Sequence, residues 1–285
     1  MKLIANYGKH KSRKVLEMSF FGKEVRMNRL FNRKSGKILV IALDHAVGWG
    51  VIEGINKIEE TMAVIIKSEP DAITMQKGII EKCYSKFSSS IPFIMKATSF
   101  APFHPTYDTQ IGDVEEAVRL GADAIAVGCT VCGKEQAELL KQMAKITKEA
   151  ASYGMPTIAH IYPKGDLINE DERYSAKYVS YAARAAAEIG IDIVKTFYTG
   201  DPDSYRKVIE SCPARVVVSG GPKMPELKDV LIMTKNAMEM GAYGVTYGRN
   251  VWQAEDPVKV IKGLKMIIHE NKEVDEVMEY LGSSK

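Results

Sequence analysis

A lysine interrupts the apolar stretch IVKTFYTGD, residues 193–201, which is otherwise typical of a buried strand. An unpaired ammonium group buried among apolar side chains is strongly unfavourable, or it loses its proton. A lysine of ordinary pKa is neutral in only about one molecule in 2,500 at pH 7, so it is a poor nucleophile. Burial and neighbouring cations that lower the pKa of Lys195 to about 7 or 8 would give an amine able to attack a carbonyl and form a Schiff base.

Schiff-base chemistry needs groups that carry protons, and two candidates follow other apolar stretches. The iminium withdraws electrons from the adjacent carbon, which allows a carbon–carbon bond to break or form without a metal. Tyr162 is predicted to act as acid and base at the cleaved hydroxyl, and Asp44 to handle protons while the carbinolamine forms and loses water. An alternative is that Lys195 only pairs with Asp44 or another carboxylate inside the protein.

Two glycine-rich stretches late in the chain, SGGPK (219–223) and YGRN (247–250), are typical of phosphate-binding loops. Small residues let backbone N–H groups approach a phosphate, and an arginine supplies charge. The predicted phosphate contacts are Ser219, Gly220, Gly221, Gly248 and Arg249. We also expect His45 and His160 to contact the substrate. Together with the lysine, these residues predict a site for a carbonyl compound that carries a phosphate.

The elements that must position these residues are eight short, β-rich apolar stretches that alternate with amphipathic stretches of helical spacing. The predicted strands cover residues 37–45, 72–76, 92–99, 124–130, 156–163, 193–198, 215–220 and 244–248. Gly121, Gly190 and Gly241 are predicted helix ends before three of them. Eight such units predict a single α/β domain, a (β/α)₈ TIM barrel with extra N- and C-terminal helices. An open doubly wound sheet is the alternative, but no G-x-G-x-x-G follows the first strand.

A barrel carries its catalytic side chains at the C-terminal ends of its strands, where the candidates above lie. Alternation along the first strand places Val40 and Ala42 in the interior, so Asp44 is expected to point inward. By the same rule, His160 and Tyr162 share one face of the fifth strand. The candidates are therefore expected to meet at one mouth of the barrel.

The domain organisation predicted from these patterns is simple. We expect a basic N-terminal arm and capping helix over residues 1–36, and the barrel with its C-terminal helix over residues 37–285. The extra helices are expected at 24–32 and 272–282. Residues 1–37 hold eleven Lys and Arg against two Glu, although the whole chain carries only +3. A solvated or interfacial arm is favoured over RNA binding, because the aromatic and glycine pattern of a nucleic-acid module is absent.

Composition argues against several other classes of protein. The apolar fraction of 46% and charged fraction of 26% are ordinary for a soluble globular protein, and no apolar run approaches the roughly 20 residues of a membrane helix. We expect a cytoplasmic protein with no membrane or nucleic-acid partner and with reduced thiols. Cys129 and Cys132 form a lone C-x-x-C without the further ligands that zinc needs, so neither a metal nor a cofactor is expected.

Five motifs carry a resemblance to a known family. They match in order and are LDH (43–45), YPKG (162–165), VKTFYTGD (194–201), SGGPK (219–223) and GRNVWQ (248–253). With them the chain resembles the Schiff-base (class I) aldolases, which include archaeal-type fructose-bisphosphate aldolase and 2-amino-3,7-dideoxy-D-threo-hept-6-ulosonate synthase. The resemblance implies that Lys195 forms the Schiff base, Tyr162 is the acid/base, Asp44 assists and the last two loops hold phosphate. It also implies a metal-independent aldehyde-lyase and a ring-shaped homo-oligomer, with a decamer as one candidate size.

The chain departs from the usual fructose-bisphosphate aldolase pattern at three places. That pattern has DHG and a further histidine after the first strand, plus a tryptophan two places before the tyrosine, whereas this chain has DHAVGWG (44–50) and His160. The segment KATSFAPFHPTYD (96–108), expected to line the entrance for the second substrate, resembles neither the fructose-bisphosphate aldolases nor the synthases.

We expect a class I aldolase acting on a phosphorylated ketose. Alternatives are a transaldolase-type synthase, a phospho-dione thiolase and a non-catalytic sugar-phosphate-binding barrel.

Overall fold

The computed structural model describes residues 21–88 and 90–283, in which strands alternate with helices. Residues 21–30 form helix α1. The strands are β1 (Ile38–Ala42), β2 (Ala72–Gln76), β3 (Phe93–Lys96), β4 (Thr98–Ala101), β5 (His104–Gln110), β6 (Ala124–Val131), β7 (Thr157–Pro163), β8 (Ile193–Thr196), β9 (Arg215–Ser219) and β10 (Gly244–Tyr247). The remaining α-helices are α2 (Ala46–Trp49), α3 (Ile58–Lys67), α4 (Lys77–Ile79), α5 (Val114–Leu120), α6 (Gln136–Ser152), α7 (Ala176–Glu188), α8 (Pro202–Ser211), α9 (Leu227–Glu239), α10 (Arg249–Trp252), α11 (Pro257–Glu270) and α12 (Val274–Ser283). Most of the predicted basic arm, residues 1–20, lies outside the described residues.

Eight of these strands close into a parallel barrel. Around the ring the order is β1, β2, β3, β6, β7, β8, β9 and β10, and β10 pairs back onto β1. The register between β7 and β8 places His160 opposite Lys195. Each barrel strand overlaps one of the eight predicted ranges, so the predicted (β/α)₈ TIM barrel is confirmed.

Two apolar layers hold the barrel together, because alternate side chains of each strand point to opposite faces. Val40 and Ile193 belong to the cluster inside the ring, whereas Leu39 and Ile41 belong to the larger cluster between strands and helices. The predicted facing of β1 is therefore confirmed at Val40. The same alternation continues inward at Lys195, two residues after Ile193.

Helix α1 covers the end of the barrel where the strands begin. Its Leu30 joins the cluster inside the ring, and Lys23 Nζ makes an ion pair with Asp192 Oδ1 at 2.9 Å. Arg29 reaches Asp123, which directly precedes β6, at 3.4 Å. Both carboxylates lie just before barrel strands, so this end is occupied by the helix and its charged contacts. The opposite end is open for the candidate site.

Three glycines end helices in the way the sequence predicts. Gly121 is the C-cap of α5, with φ of 80°, and Gly190 and Gly241 follow α7 and α9 with φ of 96° and 101°. These values lie in the left-handed region, which glycine adopts without a Cβ penalty. Each glycine turns the chain out of a helix and toward the next barrel strand.

The segment after the third barrel strand differs from the prediction. The predicted strand 92–99 ends at Lys96, and residues 98–110 form an antiparallel hairpin, β4 and β5, in which Thr98 pairs with Gln110. Ala97 is the branch point: its N–H donates to Ala126 of the barrel, while its carbonyl accepts from Ile111 at the end of the hairpin. Alternation alone does not show this exit, because strand-like residues continue on both sides of it.

Candidate active site

One cavity at the C-terminal ends of the barrel strands collects all ten of the predicted site residues. Its volume is about 310 Å³. The predicted residues that line it are Asp44, His45, His160, Tyr162, Lys195, Ser219, Gly220, Gly221, Gly248 and Arg249. They come from β1, β7, β8, β9 and β10 or from the loops that follow these strands. The closed ring is what brings them together, because its strands end at a common mouth.

Lys195 projects into this cavity from β8 and is 7% exposed. Burial lowers the pKa of Lys195 to about 8; Asp44 opposes this shift, and the nearby Lys96 adds to it. No hydrogen bond or ion pair links the Lys195 ammonium to any other side chain in the described part of the chain. The alternative in which Lys195 is locked against a carboxylate is therefore not observed. Its amine is free to meet a ligand.

Asp44 lies between two histidines at the end of β1. Its Oδ1 is 3.5 Å from His45 Nδ1, and its Oδ2 is 3.8 Å from His160 Nδ1. Burial lowers the pKa of His45 to about 4 and holds the pKa of His160 well below its ordinary value. Both imidazoles are thus neutral at pH 7. They can accept or donate a hydrogen bond without adding positive charge beside Lys195.

Tyr162 stands near Lys195 on the neighbouring strand. Its ring stacks on Phe197 with centroids 4.6 Å apart, and Phe197 stacks on Tyr174 at the same distance. Burial raises the pKa of Tyr162 well above the usual value; Asp44 raises it further, while the Ser219 hydroxyl opposes the shift. The phenol therefore carries its proton in the resting site, where it can act as a donor.

The loops after β9 and β10 are tied to each other by hydrogen bonds. Arg249 Nη2 donates to the Gly221 carbonyl at 2.9 Å, and Asn250 Nδ2 donates to the Gly220 carbonyl at 2.7 Å. Asn250 also accepts from the N–H of Met224 at 2.7 Å. Sequence reasoning missed Asn250, although it lies within the YGRN motif. The two loops form one surface of the cavity, and Arg249 supplies a positive charge there.

Close packing explains why position 248 is a glycine. A Cβ at Gly248 would lie 2.5 Å from His45 Cε1, a distance that no side chain tolerates. His45 in turn meets the Trp252 ring edge-on, with centroids 5.3 Å apart. A small residue at 248 thus leaves room for the imidazole between the first and last barrel strands.

A second lysine in the same cavity was not among the predicted site residues. Lys96, at the end of β3, is 5% exposed and pairs with Asp108 of the β4–β5 hairpin at 3.3 Å. A lysine inside an apolar strand is the same signal that singled out Lys195. The segment IMKATS (94–99) therefore also indicates a candidate site lysine. Asp108 had no comparable signal, because it reaches the barrel mouth only through the hairpin.

Aromatic rings and further cations form the outer part of the cavity. Lys164 lies over both Trp49 and Phe100, at 5.3 and 5.0 Å from the ring centroids, and Arg249 lies 5.2 Å from the Trp49 ring. Arg173 also lines the cavity. The lining cations outnumber the two lining carboxylates, Asp44 and Asp108, so the field in the cavity favours an anionic ligand.

The cysteines take no visible part in this site. Cys129 is buried in β6, and burial raises the pKa of its thiol to about 12, whereas Cys132 is partly exposed; all four cysteines are free thiols. Among residues 21–88 and 90–283, no group of three or more His, Cys, Asp or Glu side chains is placed to hold a metal ion. Within the same ranges, no helix is long and apolar enough to cross a membrane. Metal independence itself stays a prediction.

Comparison with known proteins gives one consistent family. The profile of the DeoC/LacD family aldolases matches residues 38–254. The chain is 36% identical over 273 residues to an uncharacterized aldolase of Saccharolobus solfataricus, covering 91% of this chain and 99% of that protein. It is 32% identical over 265 residues to 2-amino-3,7-dideoxy-D-threo-hept-6-ulosonate synthase 1 of Archaeoglobus fulgidus, covering 92% of this chain and 96% of that one.

A solved structure matches the barrel at a similar level. It is an archaeal fructose-1,6-bisphosphate aldolase whose catalytic lysine is covalently bound to the carbinolamine intermediate of the substrate. The TM-score is 0.78 and the identity 29%, covering 87% of this chain and 99% of that one. The fold and the sequence therefore point to the same group of proteins.

Proposed function

The chain belongs to the DeoC/LacD family of class I aldolases, and from that premise we propose that it makes or cleaves a carbon–carbon bond in a phosphorylated ketose through a Schiff base on Lys195. The observation that carries the proposal is the state of this lysine. Its amine is buried, has a lowered pKa of about 8 and has no partner among the described residues, and it shares a cavity with the Tyr162 phenol.

The first step of the proposed reaction joins the amine to a ketone. With a pKa of about 8, the Lys195 amine is neutral in about one molecule in ten at pH 7, far more often than an ordinary lysine. The neutral amine attacks the carbonyl carbon and gives a carbinolamine. Loss of water from the carbinolamine consumes one proton, which Tyr162 supplies and Asp44 relays. The product is an iminium cation beside a Tyr162 phenolate.

The second step makes the new bond. The phenolate takes a proton from the carbon next to the iminium, whose positive charge accepts the electron pair, so a neutral enamine forms. The enamine carbon attacks the acceptor aldehyde, and the resulting alkoxide takes the proton back from Tyr162. Water then hydrolyses the iminium to the ketone and the neutral Lys195 amine, and the proton released in this step returns to the Tyr162 phenolate. Cleavage of the ketose follows the same steps in reverse.

The phosphate of the ketone is assigned to the loops after β9 and β10. Backbone N–H groups at Gly220, Gly221 and Gly248 can approach it closely, the Ser219 hydroxyl adds a donor, and Arg249 supplies charge. Phosphate binding near β9 and β10 leaves the ketone carbon beside β8, which carries Lys195. This arrangement supports the same residue roles that the sequence motifs imply.

A second candidate is favoured by one comparison. The synthase of Archaeoglobus fulgidus shares 32% identity across nearly the whole chain, and its name denotes a different product from that of fructose-bisphosphate aldolase. A transaldol reaction, in which the enamine is transferred to an amino-acid semialdehyde, would use the same lysine and phenol. In this scheme the two candidates differ in the acceptor that receives the enamine.

The test is chemical trapping of the iminium. The protein is incubated with dihydroxyacetone phosphate and sodium borohydride and then examined by intact-mass and peptide mass spectrometry. We expect one covalent adduct at Lys195, and none in a Lys195→Met variant. If the protein only binds sugar phosphates without catalysis, its mass does not increase, and that result would contradict the proposal. Fructose bisphosphate cleavage and transfer to aspartate semialdehyde, assayed side by side, then decide between the two candidates.

The remaining expectations stay predictions and have their own tests. Light scattering of the full chain measures whether it forms a ring-shaped homo-oligomer and of what size. Fractionation of the source cells tests the cytoplasmic location. Titration of the full chain with RNA tests the expectation that its basic N-terminal arm does not bind RNA.

A further inference from the structure

The wall of the candidate active site opposite the phosphate-binding loops contains a charged pair that the proposed mechanism does not use. Around the ring, β3 is four strands from β9 in either direction, so Lys96 lies across the mouth from Ser219. Lys195 stands on β8, next to β9. A substrate held by its phosphate near β9 and bonded to Lys195 must therefore extend its far end toward β3 and the β4–β5 hairpin.

The ammonium in this wall has no spare hydrogen-bonding capacity. Lys96 Nζ donates to the Thr98 carbonyl at 2.8 Å, to Thr98 Oγ1 at 2.7 Å and to Asp108 Oδ1 at 3.3 Å, which accounts for its three N–H groups. Thr98 Oγ1 donates to Asp108 Oδ1 at 3.1 Å and accepts from the Gly128 N–H at 2.7 Å. All hydrogen-bond donors of the Lys96 and Thr98 side chains are thus used in bonds to Thr98 or to the Asp108 carboxylate.

Asp108 is the member of the wall with capacity left. Its Oδ1 accepts two of these bonds, whereas its Oδ2 has no hydrogen-bond partner among the described residues. The carboxylate rests on the bare backbone of Gly128, where a Cβ would come within 1.9 Å of Oδ1. It is 7% exposed and lines the cavity. At the far wall, Asp108 therefore offers a fixed hydrogen-bond acceptor, whereas the donors of Lys96 and Thr98 are already used.

We propose that Asp108 binds the hydroxyl on the carbon next to the aldehyde of the acceptor, and so selects 2-hydroxyaldehydes over aldehydes that lack this group. The inference rests on the proposed Schiff-base reaction and adds the acceptor's chemistry to it. A hydroxyl gives the carboxylate the donor it lacks. An aldehyde without this hydroxyl still covers the Asp108 carboxylate and excludes water from it. Oδ2 is then left without a hydrogen-bond donor, and this cost disfavours the reaction of such an aldehyde.

The experiment compares two acceptors that differ by one hydroxyl. With dihydroxyacetone phosphate as donor, kcat/KM is measured for glycolaldehyde and for acetaldehyde, and their ratio is the selectivity. We expect wild-type protein to favour glycolaldehyde and Asp108→Ala to lower the ratio by about 10- to 100-fold, the range expected when a hydrogen bond to a charged group is lost. Borohydride trapping with dihydroxyacetone phosphate alone is run on every variant.

Two further variants keep the result interpretable. Removing one partner of a buried ion pair destabilises the fold, so the double variant Lys96→Met/Asp108→Ala removes both charges together. It should show the same loss of selectivity. His104→Ala alters an exposed side chain of the same hairpin that does not line the cavity, and it should keep the wild-type ratio.

The outcomes separate this inference from the proposed function. If wild-type protein forms no borohydride adduct, the Schiff-base reaction is wrong and the inference falls with it. If wild-type protein forms the adduct but both Asp108 variants keep the wild-type ratio, Asp108 does not select the acceptor, while the Schiff-base proposal stands. If the variants fold but lose the adduct itself, Asp108 acts on the ketone half, which also overturns the inference.

Discussion

Replacing Lys195 with methionine should make the protein more stable at neutral pH while abolishing the proposed reaction. Methionine fills a similar volume without a charge, and Lys195 is 7% exposed among apolar neighbours such as Ile193. Burial lowers the pKa of Lys195 from its ordinary value of 10.5 to about 8. The folded protein thus binds the Lys195 proton less tightly than the unfolded chain does.

The magnitude follows from this difference in pKa. Each pKa unit corresponds to about 1.4 kcal/mol, so the wild-type protein loses up to about 3 kcal/mol of unfolding free energy at pH values below 8. Between pH 10.5 and 8 the unfolded chain takes up the proton first, so this stability is lost as the pH falls. Below pH 8 both states are protonated and the loss is constant. Above pH 10.5 neither state is protonated and the electrostatic loss disappears.

The assay is reversible urea unfolding of wild-type and Lys195→Met protein at several pH values from 6 to 10.5. We expect the variant to be more stable at pH 7 by up to about 3 kcal/mol, with the advantage shrinking as the pH rises from 8 to 10.5. Any packing difference between the two side chains is independent of pH and shifts the whole curve. Lys145→Met, at an exposed position of α6, is the control and should show no such pH dependence.

A difference in stability that stays constant from pH 6 to 10.5 would refute the reasoning, because it would mean that Lys195 keeps its ordinary pKa in the folded protein. The rate of borohydride trapping gives an independent check. It should rise with pH and level off above about 8, as the Lys195 amine becomes neutral.

Three further predictions address the proposed roles. Tyr162→Phe should lower kcat by about 10²–10⁴-fold, because the phenol moves the proton in the bond-forming step, and steady-state kinetics would contradict this role if kcat were unchanged. Arg249→Met should raise KM for a phosphorylated ketone by roughly tenfold or more while leaving KM for its unphosphorylated analogue unaltered; an equal rise for both would exclude a phosphate contact. Treatment with EDTA followed by gel filtration should leave aldolase activity intact, and a loss that added metal restores would show that the reaction depends on a metal.

At the C-terminal ends of the barrel strands, the structure agrees with what the sequence predicts. Lys195, Tyr162 and Asp44 were predicted to face one barrel mouth from strand count and alternation alone, and the structure brings them to one cavity. This worked because a parallel barrel leaves little choice: alternate residues point inward, and all strands end on the same side. The resemblance to class I aldolases, carried by five motifs in order, is likewise confirmed by the family match.

The prediction was incomplete where the chain leaves the regular pattern. The sequence pattern predicts one strand over residues 92–99, but the chain leaves the barrel at Ala97 and returns as a hairpin that delivers Asp108 to the mouth. The partners of Lys96 could not be derived, because Asp108 is twelve residues away and nothing in local spacing reports that contact. Asn250, which ties the loops after β9 and β10 together, was missed for the same reason.

By itself, the sequence determined the periodicity, the number of strands and the identity of the side chains at their ends, because these depend on local spacing and on the chemistry of each residue. Only the tertiary structure decided that the ring closes with the Lys195 amine buried and unpaired, and that Lys96 is held by Thr98 and Asp108. Two lysines in similar strands thus acquire different chemistry. The physical reason is that the burial and the hydrogen-bond partners of a side chain depend on distances in three dimensions, and a linear pattern does not encode those distances.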